Sequence, residues 1–168
     1  ATPAYCYYNN TMDSDSISKF GSLYNWFAVN TGKLAPVGWH VPTDSEWEVM
    51  QCYLVMNGYN YDGTTDTTNN KIAKSLAAKT DWSTYPIAGT IGCDLTENNS
   101  SGFSALPGGF RGPNGFFYNQ SLSGNFGSAT EHYVYFAFLR YLVFDYDYLY
   151  RDYDIKSGAC SVRLVRDN

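Results

Sequence analysis

Few residues of this 168-residue sequence have the types and spacing that catalysis or tight metal binding requires. It contains two histidines, His40 and His132, and no Ser-His-Asp arrangement can be assembled around either. His40 lies in a Trp-His-Val-Pro stretch where a structural role is favoured. We therefore predict no catalytic residue and no cofactor. The cysteines lie far apart without a CxxC pair, which argues against zinc: Cys6, Cys52, Cys93 and Cys160.

Two aspartate-containing stretches could hold calcium, but neither has a full ligand set. Asp145 and Asp147 lack the glycine and the bidentate glutamate of an EF-hand loop, so exposure on a sheet is the favoured interpretation. Asp62 and Asp66 occupy a polar loop and form a weaker alternative. No metal ligand is predicted.

The composition of His132–Ile155 is suited to recognition instead. This segment holds seven of the 16 tyrosines and four of the 12 aspartates, and it has no Gly, Pro, Ser, Thr or Asn. Tyr supplies contact area at little entropic cost, and Asp supplies acceptor oxygens. The alternative is a Tyr-rich strand pair in the core, because Tyr also favours strands. The alternating aspartates oppose it, since an unpaired buried carboxylate is costly.

The elements that must position this segment belong to an α+β class in one domain, residues 1–168. Thr43 with Glu46 forms a capping box that predicts a helix from Asp44 toward Asn57, and Lys71–Ala78 predicts a shorter second helix. No helix–strand alternation exists, which excludes a doubly wound parallel sheet. We predict β structure in six segments: Tyr5–Tyr8, Leu23–Val29, Phe103–Leu106, Phe116–Tyr118, Tyr141–Tyr150 and Ser161–Arg166.

Charge and hydropathy exclude two classes of partner. The net charge is −5 and no Lys/Arg cluster is present, so nucleic acid is not an expected partner. No apolar run approaches the ~20 residues of a membrane span, so no transmembrane segment is expected. The chain starts abruptly at Ala1 without a signal peptide, which suggests a domain cut from a longer or processed protein. For Cys6 and Cys160, a disulfide and buried free thiols both remain open.

Several motifs, in order along nearly the whole chain, resemble the Fibrobacter succinogenes major paralogous domain (FISUMP) family. Departures are Gly124–Gly127, where the family usually has paired tryptophans, and Leu164, where members often carry Cys. The matching motifs are Pro3–Asn10, Gly21–Val29, Leu34–Trp47, Gly102–Arg111, Ser128–Glu131 and Ser161–Asp167.

The resemblance implies a C-type-lectin-like fold related to the formylglycine-generating enzyme, with two helices, small antiparallel sheets and long loops. It implies pairing of the terminal strands and export to the surface of bacteria of the Bacteroidetes type; a phage particle is the alternative location. It implies no defined activity. The reactive cysteine pair of the formylglycine-generating enzyme is not supported, because Cys160 is isolated.

The family's stretch corresponding to His132–Ile155 is Asn-rich between fixed positions. Asn codons mutated only at adenine cannot become Lys, Glu, Gln, Met or Trp; this segment has none of these, whereas the rest of the chain has 19. It thus resembles the variable proteins of diversity-generating retroelements. The residues resembling the fixed positions are Ala137, Phe138, Arg140, Leu142, Phe144, Leu149, Arg151 and Lys156, of which Phe138, Leu142 and Leu149 are predicted to pack inward. The predicted ligand-binding residues are His132, Tyr133, Val134, Tyr135, Phe136, Leu139, Tyr141, Val143, Asp145, Tyr146, Asp147, Tyr148, Tyr150, Asp152, Tyr153, Asp154 and Ile155, and the aspartates and tyrosines among them are predicted to form one largely exposed patch.

The favoured function is a non-catalytic hypervariable module that binds a protein or glycan ligand on another cell or particle. Two alternatives stay open. One is an invariant adhesion or structural domain of a Bacteroidetes-type surface lipoprotein. The other is an enzyme or a calcium-dependent sugar-binding lectin.

Overall fold

The computed structural model describes residues 2–167; Ala1 and Asn168, the two ends of the predicted domain, lie outside them. The class is α+β, as predicted, with few helices and several antiparallel sheets. No helix within the described residues is long and apolar enough to cross a membrane.

Four α-helices form within residues 2–167, and the capping-box prediction is confirmed. The Thr43 hydroxyl accepts from Glu46 N, and the Glu46 side chain accepts from Thr43 N, so two otherwise unpaired helix donors are satisfied. The sequence analysis missed α1, whose N-cap Asp13 accepts from Ser16 N at 2.8 Å. The predicted helix Lys71–Ala78 is shorter than expected. The helices are α1 Ser14–Phe20, α2 Trp26–Val29, α3 Asp44–Met56 and α4 Ala73–Leu76.

In the described part of the chain, ten strands form three sheets, and every strand pair is antiparallel. The five-stranded sheet has the order β1-β2-β9-β4-β5, a two-stranded sheet joins β3 to β10, and the three-stranded sheet has the order β6-β7-β8. The strands are β1 Tyr5–Cys6, β2 Leu23–Asn25, β3 Trp39–His40, β4 Phe110–Arg111, β5 Phe117–Tyr118, β6 Ser123–Tyr133, β7 Phe136–Val143, β8 Tyr150–Ile155, β9 Ala159–Cys160 and β10 Val165–Arg166.

Several predicted strands are shorter than expected or absent. The segment Leu23–Val29 is a strand only to Asn25, because the Asn25 side chain accepts from Ala28 N at 3.0 Å and starts α2. Phe103–Leu106 forms a single bridge, Ala105 with Ala77, rather than a strand. In Ser161–Arg166 only the last two residues form a strand.

The predicted pairing of the terminal strands is wrong. The first strand, β1, pairs with β2, whereas the last strand, β10, pairs with β3. The two ends of the chain nevertheless enter one sheet, because β2 pairs with β1 on one side and with β9 on the other. Cys6 on β1 and Cys160 on β9 are free, half-buried thiols, as are Cys52 and Cys93.

The hydrophobic core lies between α3, α4 and one face of the three-stranded sheet. Trp47, Leu54 and Val55 enter it from α3, and Leu76 from α4. Leu142 of β7 is fully buried there, and Leu149 is 3% exposed. The sheet that carries His132–Ile155 therefore has one face fixed by the core.

Candidate functional site

The segment His132–Ile155 forms the end of β6, all of β7 and β8, and the connections between them. The register of β7 with β8 is continuous, with Phe138 opposite Tyr153 and Tyr141 opposite Tyr150. Because side chains alternate between the faces of a strand, these two pairs lie on opposite faces of the sheet. The predicted residues therefore do not form one patch on one face.

One face borders a cavity of about 370 Å³ between the three-stranded sheet and the five-stranded sheet. Leu139 and Tyr141 of β7 and Asp152 and Asp154 of β8 line it from the segment His132–Ile155. The opposite wall includes Trp26. The cavity thus lies between this segment and aromatic residues of the five-stranded sheet and α2.

Four tyrosines pack against one another beside the cavity. The rings of Tyr141 and Tyr150 are parallel to within 7°, with centroids 4.3 Å apart. Tyr148 and Tyr146 pack on Tyr150 at 4.1 and 5.4 Å. Burial, followed by hydrogen bonding to Tyr148, raises the pKa of Tyr150 well above its ordinary value, and burial followed by the charge of Asp152 raises the pKa of Tyr141. Both hydroxyls therefore stay protonated.

A second aromatic group covers the other face. The His132 ring lies 4.3 Å from Tyr153 and 4.5 Å from Phe138. The Arg151 guanidinium lies 4.3 Å above the ring of Phe138. Phe138 is consequently half-buried at the surface, and the prediction that it packs into the core is wrong, whereas the same prediction for Leu142 and Leu149 is confirmed.

Two arginines fasten this sheet to the start of α3. Arg140 is 1% exposed and donates through Nη1 to Asp44 Oδ1. Arg151 donates to the same carboxylate through Nη2 at 2.8 Å and Nε at 3.1 Å. Burial alone would raise the pKa of Asp44, but the hydrogen bonds from Arg151 and Arg140 outweigh it and the net pKa is lowered. Asp44 therefore stays ionised and fixes β7 and β8 against α3.

A buried lysine fastens the far end of the segment. Lys156 Nζ pairs with the Glu131 carboxylate and donates to the carbonyl oxygen of Val134 at 2.9 Å. The same ammonium lies 4.4 Å above the Trp26 ring. Lys156 therefore ties the β6–β7 hairpin to α2 by an ion pair and a cation–π contact.

The connection from β7 to β8 is held by main-chain contacts. The carbonyl oxygens of Phe144, Tyr146 and Asp147 accept from the main-chain N–H groups of Gly92, Ile91 and Ala73. The Asn70 amide forms two hydrogen bonds with the main chain of Leu149, at 2.8 and 3.2 Å. These contacts use the main chain of the connection and none of its side chains.

None of the 17 predicted ligand-binding residues is buried. The buried residues of the segment are Ala137, Arg140, Leu142 and Leu149, all at positions that the family resemblance treats as fixed. Seven of the 17 are exposed: Tyr133, Val134, Tyr135, Tyr146, Asp152, Tyr153 and Ile155. The other ten are half-buried, so the patch is less exposed than predicted: His132, Phe136, Leu139, Tyr141, Val143, Asp145, Asp147, Tyr148, Tyr150 and Asp154.

The other candidate polar residues are engaged within the fold. His40 lies between two carboxylates, with Nδ1 2.6 Å from Asp167 Oδ1 and Nε2 2.7 Å from Glu46 Oε1. Asp62 pairs with Lys71 and bonds Thr64, and Asp66 bonds Thr68. Across residues 2–167, no three His, Cys, Asp or Glu side chains are grouped as metal ligands would be.

The sequence analysis missed Asp44 as the partner of the two arginines and Trp26 as the cavity's far wall. Asp44 was assigned only to the first turn of a helix, and Trp26 to a strand. Both contacts join residues far apart in sequence, such as Asp44 and Arg140, so no local pattern could have indicated them.

Comparison with known proteins agrees with the motifs. Residues 1–166 match the Fibrobacter succinogenes major domain. No curated protein matches the chain, and no solved structure does. Since the match spans all but the last two of the 168 residues, the chain belongs to the Fibrobacter succinogenes major domain family.

Proposed function

We propose that this chain is a non-catalytic, hypervariable ligand-binding module of C-type-lectin-like fold, the variable protein of a diversity-generating retroelement. Its 17 predicted ligand-binding residues would change between copies while the scaffold stays constant. The ligand would be a protein or glycan on another cell or particle. The module would be displayed on a bacterial surface, a pilus or a phage tail.

The proposal rests on which residues of His132–Ile155 are buried and which are not. A diversified site needs positions that accept many side chains without loss of folding. Changes at exposed positions away from special contacts usually alter stability by less than about 0.5 kcal/mol, whereas core truncations cost about 2–5 kcal/mol. All 17 proposed positions avoid full burial, and every buried residue of the segment falls outside them.

The main-chain attachment of the β7–β8 connection supports the same function. Its carbonyl groups are bonded by Ile91, Gly92 and Ala73, and Leu149 is bonded by Asn70. Each of these partners lies outside the segment. A loop fixed in this way keeps its backbone when its side chains change, which reduces the ordering cost of binding.

The residue types support diversification rather than an invariant adhesion surface. The segment uses only types reachable from Asn codons by change at adenine. The tyrosines that result give large, rigid contact surfaces, and Tyr133 and Tyr135 are 66% and 72% exposed.

A genomic observation tests the proposal directly. We expect a reverse-transcriptase gene near this gene and an imperfect repeat of the DNA encoding the C-terminal region, with mismatches at adenines. Their absence would favour an invariant domain.

A stability measurement tests the scaffold. A library that varies Tyr133, Tyr135, Tyr146, Asp152 and Tyr153 together should consist mostly of folded proteins whose melting temperatures lie near the parent's. The matched control varies the five anchoring and core residues Ala137, Arg140, Leu142, Leu149 and Lys156 and should yield mostly unfolded proteins. Similar folded fractions in the two libraries would contradict the proposed difference between changeable surface positions and residues required for folding.

A further inference from the structure

The cavity beside Tyr141 has the chemistry of a receptor for a basic side chain. We infer that it takes an arginine or lysine side chain projecting from a protein ligand, an assignment that rests on the proposed binding function. Its volume, about 370 Å³, lies at the small end of the ~300–1,000 Å³ typical of ligand pockets. It therefore suits one long side chain better than a folded element.

Two carboxylates in the wall lack a cationic partner. Asp152 and Asp154 lie two residues apart on β8, so their side chains share the cavity face. Asp152 Oδ1 accepts from Tyr153 N at 2.9 Å and Asp154 Oδ1 from Ile155 N, which leaves the second oxygen of each without a donor among the described residues. Neither forms an ion pair with any residue from 2 to 167.

The rest of the cavity suits the stem and the charge of such a side chain. Aromatic rings of Tyr24, Trp26, Phe110 and Tyr141 line it. Aromatic faces attract ammonium and guanidinium groups, and the apolar surface accommodates their methylene stems. Lys156 already provides an example, with its ammonium 4.4 Å above the Trp26 ring.

The charge balance favours a cation despite that lysine. Lys156 is the cationic residue of the cavity lining, and Glu131 neutralises it. No described residue forms an ion pair with Asp152 or Asp154, and the whole chain carries a net charge of −5. A positive ligand would therefore be attracted before contact and paired after it.

The rim points to a protein as the bearer of this side chain. Tyr153 and Ile155 alternate with the two aspartates along β8, so their side chains, 48% and 40% exposed, flank the cavity from the other face of the sheet. The hairpin tip nearby in the chain, Tyr133–Tyr135, is more exposed still. Such apolar surface exceeds what one small amine could cover and is typical of a partner site.

The experiment titrates the 168-residue chain with the peptide acetyl-Gly-Arg-Gly-amide and with its neutral isostere containing citrulline. Nuclear magnetic resonance follows the Trp26 indole and the amides of β8. We expect saturable shifts there with the arginine peptide, with a dissociation constant of roughly millimolar, since a probe with so few atoms binds weakly. The citrulline peptide should cause none.

A matched pair of double variants separates cavity binding from general attraction. Asp152→Asn with Asp154→Asn should weaken arginine-peptide binding at least about tenfold, because it removes both unpaired carboxylates. Asp15→Asn with Glu48→Gln removes the same charge at exposed residues outside the cavity lining and outside the 17 proposed ligand-binding residues, and should change arginine-peptide binding less than about twofold.

Equal loss in both double variants, equal binding of the two peptides, or no arginine-peptide binding at millimolar concentration would overturn the inference. These outcomes are separate from those of the genomic test. If a retroelement repeat is found but the cavity binds no arginine peptide, the proposed function stands and the cavity assignment is wrong. If the cavity binds the peptide but no repeat is found, the cavity assignment stands and the retroelement function is wrong.

Discussion

Arg140 and Tyr141 are neighbours on β7, and their side chains enter different surroundings. Arg140 is 1% exposed and pairs with Asp44 of α3, against the core side of the sheet. Tyr141 is half-buried, stacks on Tyr150 and borders the cavity. The strand's alternation thus places an anchor on one face and a candidate contact residue on the other.

The same contrast extends over the segment. The anchors Arg140, Arg151 and Lys156 reach residues of other elements through charged hydrogen bonds. Four tyrosines of the segment contact one another instead: Tyr141, Tyr146, Tyr148 and Tyr150. A group of side chains that packs on itself can be exchanged with less harm to the fold than one that holds two elements together.

The largest expected effect comes from breaking the buried anchor. Arg140→Ala leaves Asp44 with one partner instead of two and should lower the free energy of unfolding by about 3–5 kcal/mol, as loss of one member of a buried ion pair does. Arg151→Ala is the control. Its side chain is 51% exposed, and its loss should cost about 1 kcal/mol or less. Chemical denaturation measures both free energies of unfolding. Equal decreases in the two variants would show that the difference in burial between Arg140 and Arg151 does not determine their contribution to stability.

The second effect compares the two faces directly. Leu142 is fully buried, so Leu142→Ala should cost about 2–5 kcal/mol. Tyr135 is 72% exposed, so Tyr135→Ala should change stability by less than about 0.5 kcal/mol. Thermal unfolding of the two variants side by side decides the matter. If the Tyr135 variant unfolds as readily as the Leu142 variant, Tyr135 contributes to folding stability and the hairpin tip is not a freely changeable binding surface.

Local sequence signals predicted the parts of this fold that depend on neighbouring residues. The capping box at Thr43 and Glu46 predicted where α3 begins. The restriction of residue types predicted the candidate surface, and none of its positions is buried. These signals are short-range, so no tertiary contact was needed to read them.

The errors arise where a contact between distant residues overrides a local pattern. Phe138 looks like a core residue in sequence, yet Arg151 covers its ring at 4.3 Å on the surface. Leu23–Val29 looks like one strand, yet Asn25 caps a helix within it. The cavity also went unpredicted, because its walls come from two sheets whose packing no periodicity reveals.

The third prediction concerns the N-terminal end of α3, where Asp44 binds Arg140 and Arg151. Thr43→Ala removes the side-chain acceptor for Glu46 N and should cost about 1 kcal/mol. Thr43→Ser keeps the hydroxyl and should cost much less. Since Asp44 directly follows the cap, fraying of α3 would also loosen Arg140 and Arg151. Denaturation midpoints of both variants measure the effect, and identical midpoints for the alanine and serine variants would contradict it.

The smallest effect is a dependence of stability on pH at the same end of α3. The hydrogen bond with Asp167, and then that with Glu46, raises the pKa of His40 above its ordinary 6.5. Both ring nitrogens face carboxylate oxygens, so the charged imidazolium, which has two N–H donors, is the form that the fold favours. The folded state therefore holds this proton more tightly than the unfolded state. Its contribution to stability is complete below pH 6.5 and is lost as the pH rises through the higher pKa of the folded protein. We expect the melting temperature to fall slightly over that interval in the parent protein. His40→Gln should flatten the fall, and Asp167→Asn should reduce it in part; a slope unchanged by His40→Gln would show that another group titrates there.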